Sequence, residues 1–333
     1  MENLLFTFNA VLPIILLIIT GYGIKCIGLL PQNFFSQLNR LCFYVCLPAM
    51  LFFNVYNVTN ISIILQYWKI ALFSIISIAF AFFAGFLTVC FFVKEPSQKG
   101  VILQCVFRSN FAIIGIPLVA LLSKEQTIPL AIASVIAAVS IPFFNILATI
   151  ALSVFVKSDK ETENTNNVQT LKIIKKILTN PLIISTFAGI FVLILRNFIP
   201  SFTIKQNLPF LYNAIKMLSA SASPIALLAL GGGFSFHAIA KLKKQIFLGT
   251  FMRLVFVPAI LLTLSYFLGF AKNEFPALIV LFGTPVAVSS VPMSAEMNGD
   301  TELAGQLVVW TTIFSAFTLF ITIFICANLG LLG

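Results

Sequence analysis

The chain has 333 residues, 60% of them hydrophobic and only 9% charged, with a mean hydropathy of +1.07. Soluble globules carry about 25% charged residues, so that class is excluded. The formal net charge of +10 does not indicate nucleic acid, because no segment is long enough to build a solvated basic domain.

Crossing about 30 Å of hydrocarbon takes about 20 apolar residues at 1.5 Å each. Ten such runs follow one another along the chain, at 4–24, 34–55, 68–93, 101–122, 128–156, 180–196, 208–233, 245–270, 275–297 and 302–328. The first is read as a retained span, since Glu2 stands where a signal peptide would be basic and no small-residue cleavage site follows. None of the runs alternates as outer-membrane strands do. The expected fold is an all-α polytopic membrane protein with ten transmembrane helices.

Loops 25–40, 94–100, 157–180, 234–244 and 298–301 hold Lys25, Arg40, Lys94, Lys99, Lys157, Lys160, Lys172, Lys175, Lys176, Lys241, Lys243 and Lys244. The opposite side holds Lys69, Lys124, Arg196, Lys205 and Lys272. Basic loops stay cytoplasmic, which puts both termini outside a multi-pass protein of the cytoplasmic membrane, with the lipid bilayer as its surroundings.

The polar stretch 157–179 divides the chain into 1–156 and 180–333, with five spans in each. Five is odd, so the second half enters from the other side and the repeat is inverted. Gly115-Ile116-Pro117 and Ser290-Val291-Pro292 lie 175 positions apart, and Pro48 and Pro224 lie 176 apart. Paired, interrupted helices in two inverted halves point to a transporter site at mid-bilayer, with spans four and nine broken near their second prolines.

A proline inside a span frees backbone polar groups that lipid cannot satisfy, so the site must face protein or water. Its candidate members are Asn110, Gly115, Ile116 and Pro117 in span four, with Pro285, Ser289, Ser290, Val291 and Pro292 in span nine. Helix halves meeting there would offer amides to an anion and carbonyls to a cation. Ionisable side chains inside spans mark pathways, and Arg108, Lys216, Arg253 and Glu296 qualify. Arg108 and Lys216 could snorkel to an interface. Arg253, roughly 13 Å inside its span, joins the candidate substrate residues, with a structural pair to Glu296 as the alternative.

Glu125 and Asp300 each follow a second proline by eight residues. They read as coupling carboxylates or, preferably, as helix caps. Cys42 and Cys46 share a helix face, but no histidine joins them and they read as packing residues. Gly231-Gly232-Gly233 lacks the lysine of a phosphate loop and reads as a helix end or a tight crossing. His237 sits alone in a basic loop. No nucleophile, base and orienting group share a neighbourhood, so neither an enzyme nor a cofactor is expected.

Arg40-Leu-Cys-Phe-Tyr-Val-Cys-Leu-Pro48, Ser109-Asn110-Phe-Ala-Ile-Ile-Gly115-Ile-Pro117, Ser223-Pro224-Ile-Ala-Leu-Leu-Ala-Leu-Gly231 and the stretch Thr284 to Asp300 resemble the auxin efflux carrier family along the whole chain. That family includes bacterial permeases for malate and malonate. The resemblance implies a fold similar to the bile-acid sodium symporters, with spans one, two, six and seven as scaffold and the others as a mobile unit. It also implies that spans four and nine cross at their prolines and that a substrate carboxylate meets Asn110 and the broken ends near Pro117 and Pro292. Span three lacks the acid of the plant carriers, so auxin and proton coupling through that position are not carried over. The expected function is a secondary transporter of small organic anions working by alternating access, with protons or sodium as coupling ion and a homodimer left open. A sodium-coupled symporter of the bile-acid type and a non-transporting anion receptor are the alternatives.

Overall fold

The structure is a computed structural model that describes residues 2–57, 66–123, 127–155, 179–199 and 203–332. Glu125 and nearly all of the 157–179 stretch fall outside the described residues. The described chain is helical, and its sole bridge is a single antiparallel pair, Ser109 with Val286.

In chain order the helices are α1 (Glu2–Ile27), α2 (Gln32–Leu41), α3 (Leu47–Tyr56), α4 (Trp68–Phe92), α5 (Pro96–Phe107), α6 (Ile116–Leu122) and α7 (Thr127–Val154). They continue as α8 (Pro181–Phe198), α9 (Ile204–Asn207), α10 (Pro209–Gly233), α11 (His237–Phe251), α12 (Val257–Phe267), α13 (Phe275–Gly283), α14 (Ser290–Glu296) and α15 (Thr301–Asn328). Among the described residues, six helices are long and apolar enough to cross a membrane: 33–56, 68–92, 128–154, 209–233, 237–267 and 301–328. Shorter apolar helices run over Leu12–Ile27, Phe111–Ala120 and Pro181–Arg196. α5 and α11 begin before the apolar runs at 101 and 245, because their first turns, with Lys99 and Lys241 to Lys244, are polar yet still helical.

Three π-turns, Cys42–Cys46, Phe111–Gly115 and Met252–Phe256, each end two residues before a proline: Pro48, Pro117 and Pro258. Proline supplies no N–H and its ring clashes with the carbonyl four residues back. That carbonyl belongs to Tyr44, Ile113 or Leu254, in the middle of each π-turn, and the wider turn relieves the clash without ending the helix.

The helices pack in two groups. α1, α2, α3, α8 and α10 associate, as do α4, α5 and α7 with one another and α11, α13, α14 and α15 around them. Gly21 and Gly231 let α1 and α10 cross backbone to backbone: a Cβ on Gly21 would meet the Leu228 carbonyl, and one on Gly231 the Ile18 carbonyl. The glycine run therefore ends α10 and makes a tight helix crossing. Lys25 closes this corner by donating from Nζ to the Phe234 carbonyl at 2.8 Å.

Gly231→Leu should lower the apparent melting temperature of purified protein sharply, by overpacking worth about 1–3 kcal/mol or more. Gly233→Ala, where a Cβ would meet nothing within 4 Å, should leave it unchanged.

Candidate functional site at the helix crossover

Two helices are interrupted where they pass each other. α5 stops at Phe107, after which Arg108 turns extended (φ −86°, ψ 101°). α13 stops at Gly283, and Thr284 turns extended (φ −70°, ψ 154°). Pro285 explains the second break, since a proline pushes the residue before it out of the helical region. The breaks therefore lie upstream of the Pro117 and Pro292 crossing expected from sequence. Pro292 sits in the first turn of α14, where an N–H has no helical partner to lose, while Pro117 lies within a continuous helical stretch and is accommodated by the π-turn before it.

The freed backbone groups pair across the break. Asn110 N donates to the Pro285 carbonyl at 2.9 Å, and Ala287 N to the Arg108 carbonyl at 3.3 Å. Ser109 Oγ and Thr284 Oγ1, 175 positions apart in sequence, lie 2.9 Å from each other. Val286 N donates to Thr311 Oγ1 of α15 at 3.3 Å. Gly115 allows the close approach behind this bridge, since a Cβ there would lie 2.5 Å from Val280 Cγ1 of α13.

Arg253, 1% exposed, enters from the π-turn between α11 and α12. Its Nε donates to the Thr284 carbonyl at 2.8 Å, its Nη2 to Leu281 at 3.1 Å, and its Nη1 to Val106 at 3.3 Å and Phe107 at 3.5 Å. All three nitrogens are spent on carbonyls at the ends of α5 and α13. None reaches Glu296, and Arg253 does not line the cavity described next.

That cavity, about 40 Å³, lies on the other side of the crossover. Arg108, Ser109, Asn110, Ala112 and Ile113 form one wall with Ala287, Val288 and Ser289, and Ile141, Phe144 and Asn145 of α7 close it. Facing them are Leu47, Met50, Leu51 and Asn54 of α3 and Ala222, Ser223 and Ala226 of α10. Pro48 and Pro224 thus belong to the stretches that form the opposite wall. A cavity needs about 10–15 Å³ to hold a water at all, so the space is small but open to water.

Arg108 is 3% exposed and its partners are neutral. Nη2 donates to Asn145 Oδ1 at 2.7 Å and Ser289 Oγ at 2.8 Å, and Nη1 to Gln104 Oε1 at 3.4 Å. Nη1 also touches the Met293 sulfur. Gln104 is held in turn by Ser294 Oγ at 2.8 Å and the Ser290 carbonyl at 3.3 Å. Among the described residues no acidic side chain lines the cavity. Asn110, also 3% exposed, leads into the Phe111–Leu122 helical stretch but does not cap it with its side chain. Its Nδ2 is buried without a partner.

Of the residues singled out in the sequence, Asn110 and Ser289 line the cavity and Arg253 braces it from behind. Pro285 forms part of the bridge, while Ser290 and Pro292 are buried in the first turn of α14. Val291 is core at 1% exposed, and Ile116 points outward at 37%. Arg108, an ionisable candidate that the sequence allowed to snorkel, lines the cavity instead, and Asn145, Ser109 and Gln104 are the additions. A lone asparagine in the apolar stretch of α7, three residues after Pro142, was the signal for Asn145. Asp300 is a helix cap, accepting from Leu303 N at 2.9 Å and also from Gln98 Nε2 at 3.0 Å. Lys216 is exposed on α10.

Apolar helices of membrane-spanning length, with two others broken around polar groups, are the architecture of a membrane protein, and comparison with known proteins makes it a transporter. The chain belongs to the membrane transport protein family, which its residues 6–323 match. It is also similar to an uncharacterized transporter of Methanocaldococcus jannaschii, at 24% identity over 320 residues that cover 92% of this chain and 94% of that one.

Asn145→Leu should destabilise the protein by about 1–3 kcal/mol, the cost of removing an acceptor from a buried donor. Thermal unfolding of the purified variant measures this.

Proposed function

We propose that the protein is a secondary carrier of small organic anions, mono- or dicarboxylates, that holds the substrate carboxylate between Arg108 and Asn110 and works by alternating access. The observation that carries this reading is the buried Arg108 guanidinium, which faces a cavity lined by no acidic side chain among the described residues. An unpaired charge at membrane depth is costly and marks a pathway, and a carboxylate suits a guanidinium fork. The unpartnered Asn110 amide adds a second donor on the same wall.

The reading includes ten spans in two inverted five-helix halves, 1–156 and 180–333, joined by 157–179. Support comes from the 175-residue spacing that relates Ser109 to Thr284, the hydroxyl pair at the crossing. With basic loops inside, both termini lie outside a cytoplasmic membrane. The two packing groups suggest the moving parts. α1, α2, α3, α8 and α10 would stand still while the crossover group slides against α3 and α10, opening the small cavity first to one side and then to the other. Such a motion is needed, since a cavity of about 40 Å³ holds little more than the carboxylate itself. A receptor that binds without transport would leave the paired breaks without a purpose. Uptake, efflux and exchange are all compatible with this arrangement.

In proteoliposomes, uptake of labelled malate competed by a panel of unlabelled acids should fall at least tenfold in Arg108→Gln and in Asn110→Ala. Asn145→Asp should abolish uptake while leaving thermal stability intact, because its carboxylate would take the substrate's place on Arg108. Full uptake by folded Arg108→Gln would reject the site.

A further inference from the structure

We infer that Arg253 is the resident cation of the crossover, and that the carrier therefore runs without sodium at that place. The inference deepens the carrier reading and rests on it, but it has its own observations. In interrupted membrane helices, carbonyls at the C-terminal ends of half-helices are the groups that coordinate a driving cation. Here the carbonyls of Val106, Phe107, Leu281 and Thr284 converge on one guanidinium instead, at 2.8–3.5 Å.

The match is one of shape as well as charge. Val106 and Leu281 stand in the same 175-residue relation as Ser109 and Thr284, and they take Nη1 and Nη2 respectively. One planar fork thus bonds equivalent atoms of both half-helices. Each helix C-terminus carries about −0.5 charge, so two of them are balanced by the single positive charge of Arg253. A guanidinium stays protonated and is weakly hydrated, which makes it a permanent substitute for an ion that would otherwise come and go. Sodium has no room beside it, because Arg253 is 1% exposed and its three nitrogens already engage these carbonyls. Arg253 acts as a positioning residue: it holds the two chain breaks together so that Arg108 and Asn110 keep their places on the opposite side.

The test has two arms. In the first, the melting temperature of purified wild-type protein is compared in sodium chloride and N-methyl-D-glucamine chloride at equal ionic strength, and proteoliposome uptake of labelled malate is compared with and without a sodium gradient. Neither should change between the two salts. In the second, Arg253→Ala should melt lower, lose uptake at least tenfold and gain a dose-dependent stabilisation by millimolar sodium or methylguanidinium that the wild type lacks. Arg253→Lys, which keeps the charge, should remain insensitive to sodium. A wild type stabilised by sodium, or driven several-fold faster by its gradient, overturns the proposal, as does an Arg253→Ala protein that matches wild type and ignores both cations. If no acid moves in any liposome, the carrier reading fails, while the melting arm still decides whether Arg253 fills a cation position.

Discussion

A helix interrupted inside a bilayer strands backbone amides and carbonyls that water cannot reach, at several kcal/mol for each unsatisfied group. This chain interrupts two helices at one place, so each break can satisfy the other. The Ser109–Val286 bridge pairs backbone with backbone, the Ser109–Thr284 hydroxyls meet, and Arg253 gathers the carbonyls of Val106, Phe107, Leu281 and Thr284. Everything else about the site depends on this mutual closure. The extended residues at the break can persist only because their polar groups are occupied.

Charge follows from the same geometry. The carbonyl ends of the half-helices are balanced by Arg253, which arrives from the π-turn that precedes Pro258. Arg108 lies within the break itself, on the side facing α3 and α10, among Asn145, Ser289 and Gln104. Neutral acceptors satisfy its hydrogen bonds without cancelling its charge. Two buried arginines therefore do different work: one completes the backbone, and the other leaves a positive potential in a small cavity. On the carrier reading, that potential attracts the anion, and the small volume forces the surrounding helices to move before a larger body can pass.

Much of the fold is legible in hydropathy. Helices end at 56, 92, 154, 233 and 328, within two residues of the apolar runs, because lipid requires the side chains and the hydrogen bonding of a helix to end together. The site is legible only in part. Proline spacing reveals that two helices are special, but it points to Pro117 and Pro292, which a preceding π-turn and a first helical turn respectively accommodate. The actual breaks are made by Pro285, by small hydroxyl residues and by a cross-chain bridge that no local pattern announces. Arg253 stands out in sequence as a charge too deep to snorkel, yet whether it faces a cavity or a carbonyl cluster is decided by packing. Arg108, nearer a helix end on paper, could be excused as snorkelling. Only the position of α7 reveals it as the cavity's charge.

The account stands on Arg108 and Asn110 forming one anion site at the crossover. Cryo-electron microscopy of the protein in nanodiscs with saturating acetate, the smallest carboxylate suited to so small a space, tests it most directly. The account predicts density for one carboxylate within about 3 Å of the Arg108 guanidinium and the Asn110 amide, with Arg253 still on its four carbonyls. Acetate bound elsewhere, with this cavity filled by ordered water alone, would contradict it.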